Sequence, residues 1–109
     1  MVNIVSIVGD KSLAKNMEAV RGFIAVSKQV LKEFSPRLVY VVGGARLAGF
    51  VESSSRGLTM FCEVVYVLPR EIDDVIFLLR ESDVIVFVVG EDGPHPMFQW
   101  FFLLRPFHG

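Results

Sequence analysis

Four short apolar runs alternate along the chain with stretches of helical period. The runs are rich in β-branched residues and almost continuously apolar, which is typical of strands that are buried on both faces of a sheet. They are Val2–Val8, Leu38–Val42, Cys62–Leu68 and Asp83–Val89. Strands of this kind that alternate with helices predict a parallel sheet whose strands are joined by right-handed helical crossovers.

The stretches between the runs predict three helices. Leu13–Phe34 carries two rows of apolar residues at helical spacing, and Asp10 and Ser12 before it are candidate N-caps. The second helix is expected from Arg46 or Leu47 to Leu58, and the third covers Arg70–Glu81. Acidic residues fill the first turns of the third helix, where they complement the helix dipole.

The final apolar segment, Met97–Leu104, has two possible structures. Pro96 suits the first position of a helix, and an edge strand is the alternative. With either outcome, residues 1–109 form one domain with a four-stranded, mostly parallel sheet in a three-layer α/β/α arrangement.

Glycine follows three of the four predicted strands, at Gly9, at Gly43-Gly44 and at Gly90. Because the carboxyl ends of parallel strands meet at one edge of a sheet, these turns are expected to lie together, near the switch in strand order. Glycine lets the backbone approach a ligand, and a helix that begins there presents free N–H groups to an anion. The sequence therefore predicts a phosphate site, and tight strand–helix turns without a ligand are the alternative.

Side chains next to these turns extend the candidate site. Arg46 and Lys11 are placed to hold a phosphate, with solvated loop charges as the alternative. Asp10 is a candidate for a ribose hydroxyl or a metal, or an N-cap, and Glu91 is an acid, a base or part of a polar turn. The complete candidate set is Gly9, Asp10, Lys11, Ser12, Gly43, Gly44, Ala45, Arg46, Gly90, Glu91 and Gly93.

No metal site is predicted. His95 and His108 are separated by apolar sequence, and no cysteine or second histidine lies at metal-ligand spacing from either. The serines at 53–55 form a small-residue face of the second helix, which favours close packing against the sheet over a nucleophile.

The stretch V-V-G-G-A-R-L-A-G-F-V-E-S-S-S-R-G-L, followed by V-V-Y-V-L-P, resembles a Rossmann-like superfamily. This superfamily includes the Lonely Guy phosphoribohydrolases, the lysine-decarboxylase-like proteins and DNA-processing protein A. The resemblance covers about Val2 to Gly93 and implies a Rossmann-like fold, with a nucleotide-contacting first turn at Gly9 and Ser12.

The catalytic half of that superfamily's signature is not present. Where the phosphoribohydrolases carry P-G-G-x-G-T-x-x-E, residues 89–96 read V-G-E-D-G-P-H-P. Neither Arg70 nor Arg80 matches the position of the family's catalytic arginine. The resemblance therefore implies nucleotide binding without turnover, and catalytic residues stay unassigned.

Charge and apolar content decide which partners are expected. The net charge of −1, from 11 basic and 12 acidic residues, disfavours nucleic acid, although the resemblance to DNA-processing protein A implies it. Hydrophobic residues make up 52% of the chain, yet no run is long enough to span a membrane and no signal peptide is expected. A single cysteine, Cys62, expected to be buried, favours a cytoplasmic setting.

The aromatic segment from Met97 to Phe107 predicts a homodimer interface, with a folded-in core element as the alternative. The predicted function is a small nucleotide- or phosphate-binding protein without catalytic turnover and with no cofactor beyond that ligand. One alternative is a non-catalytic interaction module that dimerises through its aromatic C-terminus. Another is a phosphoribohydrolase-like enzyme with altered catalytic residues.

Overall fold

The computed structural model describes residues 2–90 together with Gly93, Gln99, Phe101 and Leu103. Strands and helices alternate through this part of the chain, which confirms the predicted order of elements. The elements are β1 Ile4–Gly9, α1 Met17–Phe34, β2 Leu38–Val42, α2 Ala45–Gly57, β3 Glu63–Val67, α3 Ile72–Glu81 and β4 Val84–Val88. A short 3-10 turn, Lys11–Ala14, lies between β1 and α1.

The four strands form one parallel sheet in the order β3-β2-β1-β4. The chain adds β2 and β3 outward on one side of β1 and then crosses back to place β4 on the other side. The direction of winding therefore reverses between β1 and β4. In open parallel sheets the crevice at the carboxyl ends of such a strand pair is where ligands bind.

Helices cover both faces of the sheet, which confirms the three-layer α/β/α architecture. On the first face, Val5 and Ile7 of β1 pack in one buried cluster with Phe23 and Leu31 of α1 and Leu47 of α2. Each fully buried side chain of this size contributes roughly 1.5–3 kcal/mol.

The second face is covered by α3 and by part of the C-terminal segment. There Val8 and Val42 pack with Val75 and Leu78 of α3 and with Phe101. Because successive side chains of a strand point to opposite faces, Val8 leaves the cluster that its neighbour Ile7 joins.

The first helix begins later than the sequence predicted. Helix α1 starts at Met17 rather than Leu13, because the chain first makes the 3-10 turn that buries Leu13. The N-cap is Asn16, whose side-chain oxygen accepts a hydrogen bond from the Ala19 N–H at 2.8 Å. The expectation that Asp10 or Ser12 caps this helix was therefore wrong: the Asp10 carboxylate instead accepts a hydrogen bond from the Ser12 hydroxyl at 3.1 Å.

Two of the three serines of α2 pack as the sequence predicted, whereas Ser53 is exposed. Ser54 and Ser55 are buried, and each hydroxyl donates 2.8 Å to a carbonyl of its own helix, at Phe50 and Glu52. Both hydroxyls are therefore satisfied locally, and the small side chains bring the helix close to its neighbours.

A capping box defines the start of α3. The N–H groups of Arg70 and Glu71 donate to one carboxylate oxygen of Asp74, at 2.8 and 3.1 Å, and the Glu71 side chain in turn accepts from the backbone of the third helical residue. These backbone hydrogen bonds lower the pKa of Asp74. The acidic first turn of α3 is thus structural, as predicted, although the helix begins at Ile72 rather than Arg70.

In the C-terminal segment the described residues Gln99, Phe101 and Leu103 are helical, so the helix is the correct one of the two alternatives at these positions. Phe101 is buried, and its ring meets that of Phe87 edge-on with centroids 5.6 Å apart. The rest of the interface predicted for Met97–Phe107 lies outside the described residues. Among the described helices, none is long and apolar enough to cross a membrane.

Candidate functional site

The glycine turns after β1, β2 and β4 meet at the carboxyl edge, around the 3-10 turn. A Cβ atom built on Gly9 would lie 2.8 Å from a methyl of Leu13 and 3.2 Å from one of Leu47. A Cβ on Gly90 would lie 3.0 Å from the other methyl of Leu13. A Cβ on Gly44 would lie 3.2 Å from Leu47 and 3.4 Å from the Cα of Lys11. The predicted convergence of the three turns is therefore present in the structure.

These contacts give the glycines a packing role. Leu13 and Leu47 are both buried, and they lie directly over the strand ends, where a side chain at Gly9 would displace them. Gly43 adds a backbone requirement, because its φ of 110° is a conformation that L-residues rarely adopt. Tight packing explains Gly9 and Gly90 without a ligand. This packing does not account for the backbone amide groups that follow Gly44.

Helix α2 begins without a side-chain cap. Gly44 occupies the N-cap position in an extended conformation, and no side chain accepts a hydrogen bond from the first turn. The first turn of a helix has N–H groups with no partner inside the helix and carries the positive end of the helix dipole. Ala45 and Arg46, both exposed, form this turn, so the predicted phosphate position is open to solvent.

Three basic side chains surround this edge. Lys11, Lys15 and Arg46 are exposed, and none of them forms an ion pair with another residue in the described part of the chain. The pair that does form, Glu52 with Arg56 at 3.8 Å, lies further along α2 and is solvent-exposed, at a four-residue spacing that brings two side chains together on a helix surface. Positive charge is therefore available at the start of α2 and at the 3-10 turn.

A cavity of about 450 Å³ opens on the other side of the 3-10 turn, at the switch between β1 and β4. Its apolar part is formed by buried and partly buried side chains of α1 and by the end of β4, and its polar part by the residues that precede and begin α1. The lining residues that matter most are Ser12, Lys15, Asn16, Gly22, Phe23 and Val88.

The charges of the cavity nearly cancel. Lys15 and Glu18 both line it, and the carbonyl oxygen of the Asn16 side chain is already bound to the Ala19 N–H, which leaves its NH₂ group as a donor. Phe23 and Val26 supply an apolar wall. The cavity is thus suited to a neutral, partly apolar group with a few hydrogen-bonding positions, whereas the anion position lies at α2.

The structure brings some of the predicted site residues together and leaves others apart. Gly9, Gly44, Gly90 and Lys11 come together around the 3-10 turn, and Ser12 and Gly90 line the cavity. Gly93 follows Gly90 in a tight turn closed by a 3.1 Å bond from the Gly93 N–H to the Gly90 carbonyl. Glu91 lies outside the described residues. Asp10 occupies the N-cap position of the 3-10 turn, but its side chain is held by Ser12, makes no capping hydrogen bond and does not line the cavity.

The cavity walls on α1 were missed by sequence reasoning. Ala19, Gly22 and Val26 recur at helical spacing and leave a shallow strip beside β4. The signal was present as small residues on one face of the helix, but the strand that would lie opposite them could not be known from the sequence. Among the described residues, no group of three or more histidine, cysteine, aspartate or glutamate side chains is placed to hold a metal ion.

No protein-family model matches this sequence, and comparisons with curated proteins and with solved structures find no match. The resemblance of about Val2 to Gly93 to the Lonely Guy superfamily therefore stays a prediction. Function is inferred below from the residues of the site itself.

Proposed function

We propose that the chain binds a nucleotide, or a related ligand that carries a phosphate, at the carboxyl edge of its sheet and does not turn it over. The observation that carries the proposal is the position of the cavity. It opens at the end of β4, where the strand order reverses, and the 3-10 turn that lines it also borders the uncapped start of α2. Its volume of about 450 Å³ suits a mononucleotide or phosphosugar better than a dinucleotide.

The ligand spans two positions in this proposal. Its phosphate lies at the first turn of α2, where the backbone N–H groups, Arg46 and Lys11 offer donors and positive charge. Its base or sugar lies in the cavity, against Gly22 and Phe23 of α1. The 3-10 turn separates the two positions, and the backbone of Lys11 borders Gly44, so the ligand crosses this turn.

Binding without turnover follows from the residues after β4. The resembling phosphoribohydrolases use a threonine and a glutamate there, and V-G-E-D-G-P-H-P lacks both at the required spacing. A reducing, cytoplasmic setting is part of the proposal, because Cys62 is the one cysteine of the sequence. It is half-buried, and burial raises its pKa, so its thiol is held in the protonated form at neutral pH.

Thermal unfolding in the presence of AMP, ribose 5-phosphate or inorganic phosphate tests the binding proposal. AMP at about 100 times its Kd is expected to stabilise the fold by about 2.7 kcal/mol. Arg46→Ala should weaken AMP binding by roughly 10-fold or more, since it removes a charge-assisted hydrogen bond. Arg56→Ala, an exposed arginine later in the same helix, is the matched control and should bind normally.

A second pair of variants tests the cavity. Gly22 and Gly49 are both exposed helical glycines with no atom within 4 Å of a built Cβ, but Gly22 lines the cavity and Gly49 does not. Gly22→Leu should abolish the AMP effect, whereas Gly49→Leu should retain it. Equal binding by both variants, or no thermal shift with any of the three ligands, would contradict the proposal.

Product analysis by chromatography tests whether the protein turns nucleotides over. Incubation with nucleoside monophosphates, followed by chromatography, should show intact nucleotide in the presence of the protein. Release of free base and ribose 5-phosphate would instead support the alternative of a phosphoribohydrolase-like enzyme with altered catalytic residues.

A second candidate function is an interaction module that dimerises through Met97–Phe107. The observation that favours it is the exposure of Leu103, which is 78% accessible although the neighbouring Phe101 is buried. Trp100→Glu should then convert a dimer to a monomer on size-exclusion chromatography with light scattering. A Trp100→Glu protein that stays dimeric would remove this candidate.

A further inference from the structure

We infer that β3 pairs in antiparallel fashion with β3 of a second copy of the chain, about a two-fold axis at Val65. Strand β3 is one edge of the sheet, and β2 is its only neighbour among the described strands. Pairing of two such edges would join two four-stranded sheets into one of eight strands. This interface is distinct from the ligand site and from the C-terminal segment.

The hydrogen bonds of β3 show which of its backbone groups face outward. The Glu63 N–H donates to the Arg37 carbonyl at 3.0 Å, and the Val67 carbonyl accepts from the Gly43 N–H at 3.2 Å. Glu63 and Val67 therefore face inward, toward β2 and the turn that follows it. Because backbone groups alternate in direction along a strand, Val64 and Tyr66 present their N–H and C=O groups to the outside.

This alternation restricts the pairing register. In an antiparallel ladder two residues that face each other exchange both of their hydrogen bonds. With the two-fold axis at Val65, each Val64 lies opposite Tyr66 of the partner subunit, so outward groups meet outward groups. This register also overlaps the whole of Glu63–Val67, which no shifted register does.

The side chains fit the same register. Val64 and Tyr66 share one face of the sheet, so each pairs a β-branched residue with an aromatic one across the interface, a favourable cross-strand combination. Phe61 is fully exposed and Leu68 is 49% exposed just outside the strand, so apolar surface continues beyond both of its ends.

Charge does not oppose the pairing. The strand carries a single charged residue, Glu63, at its first position, and antiparallel pairing places it opposite Val67 of the partner subunit. The two Glu63 side chains are then roughly 13 Å apart, beyond the screening length at physiological salt.

The edge also lacks the usual protection against pairing. Natural edge strands commonly carry a lysine, a proline or an inward-pointing charge that discourages association. None of these is present between Glu63 and Val67, and the first proline, Pro69, comes after the strand has ended. The outward backbone groups of Val64 and Tyr66 are thus available for pairing.

Cysteine cross-linking tests the register. In a Cys62→Ser background, Val65→Cys places two cysteines in a facing pair whose Cα atoms are about 4.5 Å apart, within the range of a disulfide. Mild oxidation should give a covalent dimer of twice the 12.2 kDa chain mass. Val67→Cys is the matched control, because its two copies lie roughly 13 Å apart along the strands and should stay uncross-linked.

Edge variants test the interface without relying on a disulfide. Tyr66→Pro removes an outward N–H group and leaves the hydrogen bonds to β2 in place, so the chain should fold by circular dichroism and elute as a monomer. Ile85→Pro makes the same change on the opposite edge, because the parallel register directs the backbone groups of Val84 and Val86 toward β1 and those of Ile85 outward. That variant should remain dimeric.

Three results would overturn the inference. The first is a monomeric wild-type protein at 100 times the protein concentration of a routine sizing run. The second is cross-linking at Val67→Cys but not at Val65→Cys. The third is a dimer that Trp100→Glu or Ile85→Pro dissociates and Tyr66→Pro does not, which would place the interface at the C-terminal segment or at β4.

Discussion

The three helices that lie between the strands begin in two different ways. Helices α1 and α3 are capped by their own side chains, through Asn16 in one and through Glu71 and Asp74 in the other. Helix α2 begins at Gly44 and has no side-chain cap. All three starts lie at the same edge of the sheet, so the difference does not come from their position. Among these three helices, only α2 begins without a hydrogen bond from a side chain of its own first residues.

A glycine turn is therefore not by itself a ligand turn. The turn after β1 contains Gly9, but the chain then fills the space with Leu13 and delays the helix until Met17. The turn after β2 leads straight into its helix. The turn after β1 is thus filled by a side chain, and the turn after β2 is open. Substitutions that change one turn and leave the other unchanged test this contrast.

Gly9→Ala should have the largest effect. Its Cβ would meet a Leu13 methyl at 2.8 Å, so we expect overpacking to lower the free energy of unfolding by about 1–3 kcal/mol. Gly22→Ala, which meets no atom within 4 Å, should raise it by roughly 0.5–1 kcal/mol through helix propensity. Denaturant titrations of both variants measure the difference.

Combining Gly9→Ala with Leu13→Ala tests whether Gly9 has a packing role or contacts the ligand. Adding Leu13→Ala to Gly9→Ala should cost less than Leu13→Ala costs in the wild type, because the new methyl then occupies vacated space. If Gly9→Ala keeps full stability but loses AMP binding, the turn after β1 contacts the ligand and the contrast with β2 is wrong.

Asn16→Ala should destabilise the fold by about 1 kcal/mol, because it removes the hydrogen-bond acceptor for the Ala19 N–H. Asn16→Asp keeps an acceptor at the same position and should restore the stability. Thermal unfolding of both variants without ligand gives the comparison, and equal stability of Asn16→Ala and the wild type would show that α1 does not depend on its cap.

Ala45→Asp should stabilise the start of α2 and weaken the binding of a phosphate there. A carboxylate in the first turn of α2 should raise the free energy of unfolding by about 0.3–1 kcal/mol through the helix dipole and at the same time repel an incoming phosphate. Ala25→Asp, on the exposed surface of α1, adds the same charge away from any helix start. A weaker AMP shift in Ala45→Asp than in Ala25→Asp is the expected result, and equal shifts would place the phosphate elsewhere.

Asp74→Asn should have the smallest effect, and that effect should depend on pH. The hydrogen bonds from Arg70 and Glu71 lower the pKa of Asp74 in the folded chain, so its contribution is complete above the unfolded-state pKa. The contribution is lost as the pH falls through the lower, folded-state value. The wild type should therefore be the more stable protein at pH 7, and the difference should shrink below about pH 4.

Asp73→Asn is the control for this measurement, since its carboxylate caps no backbone group in the described structure. Its effect on stability should not follow that of Asp74→Asn through the acidic range. A difference between wild type and Asp74→Asn that is constant from pH 7 to pH 3 would contradict the capping role.

The sheet, its parallel direction and the three helices between strands could be predicted because continuous apolar runs and helical periods are local signals. The glycine convergence followed from chain geometry, since parallel strands end at one edge. The start of α1 could not be predicted, because Leu13 fits the helical period and is withdrawn from it only by packing over Gly9 and Gly90. The cavity could not be predicted either, because it forms only when β4 lies beside β1.

The crossing from β3 to β4 also has a kinetic consequence. The contact between Asp83 and Ile4 joins positions 79 residues apart, whereas β1 and β2 pair across a single helix. Closing so long a loop costs more chain entropy, so β4 is the last strand to dock. The cavity at its end exists only after that step. A ligand bound there would slow unfolding by holding in place the strand that otherwise leaves first.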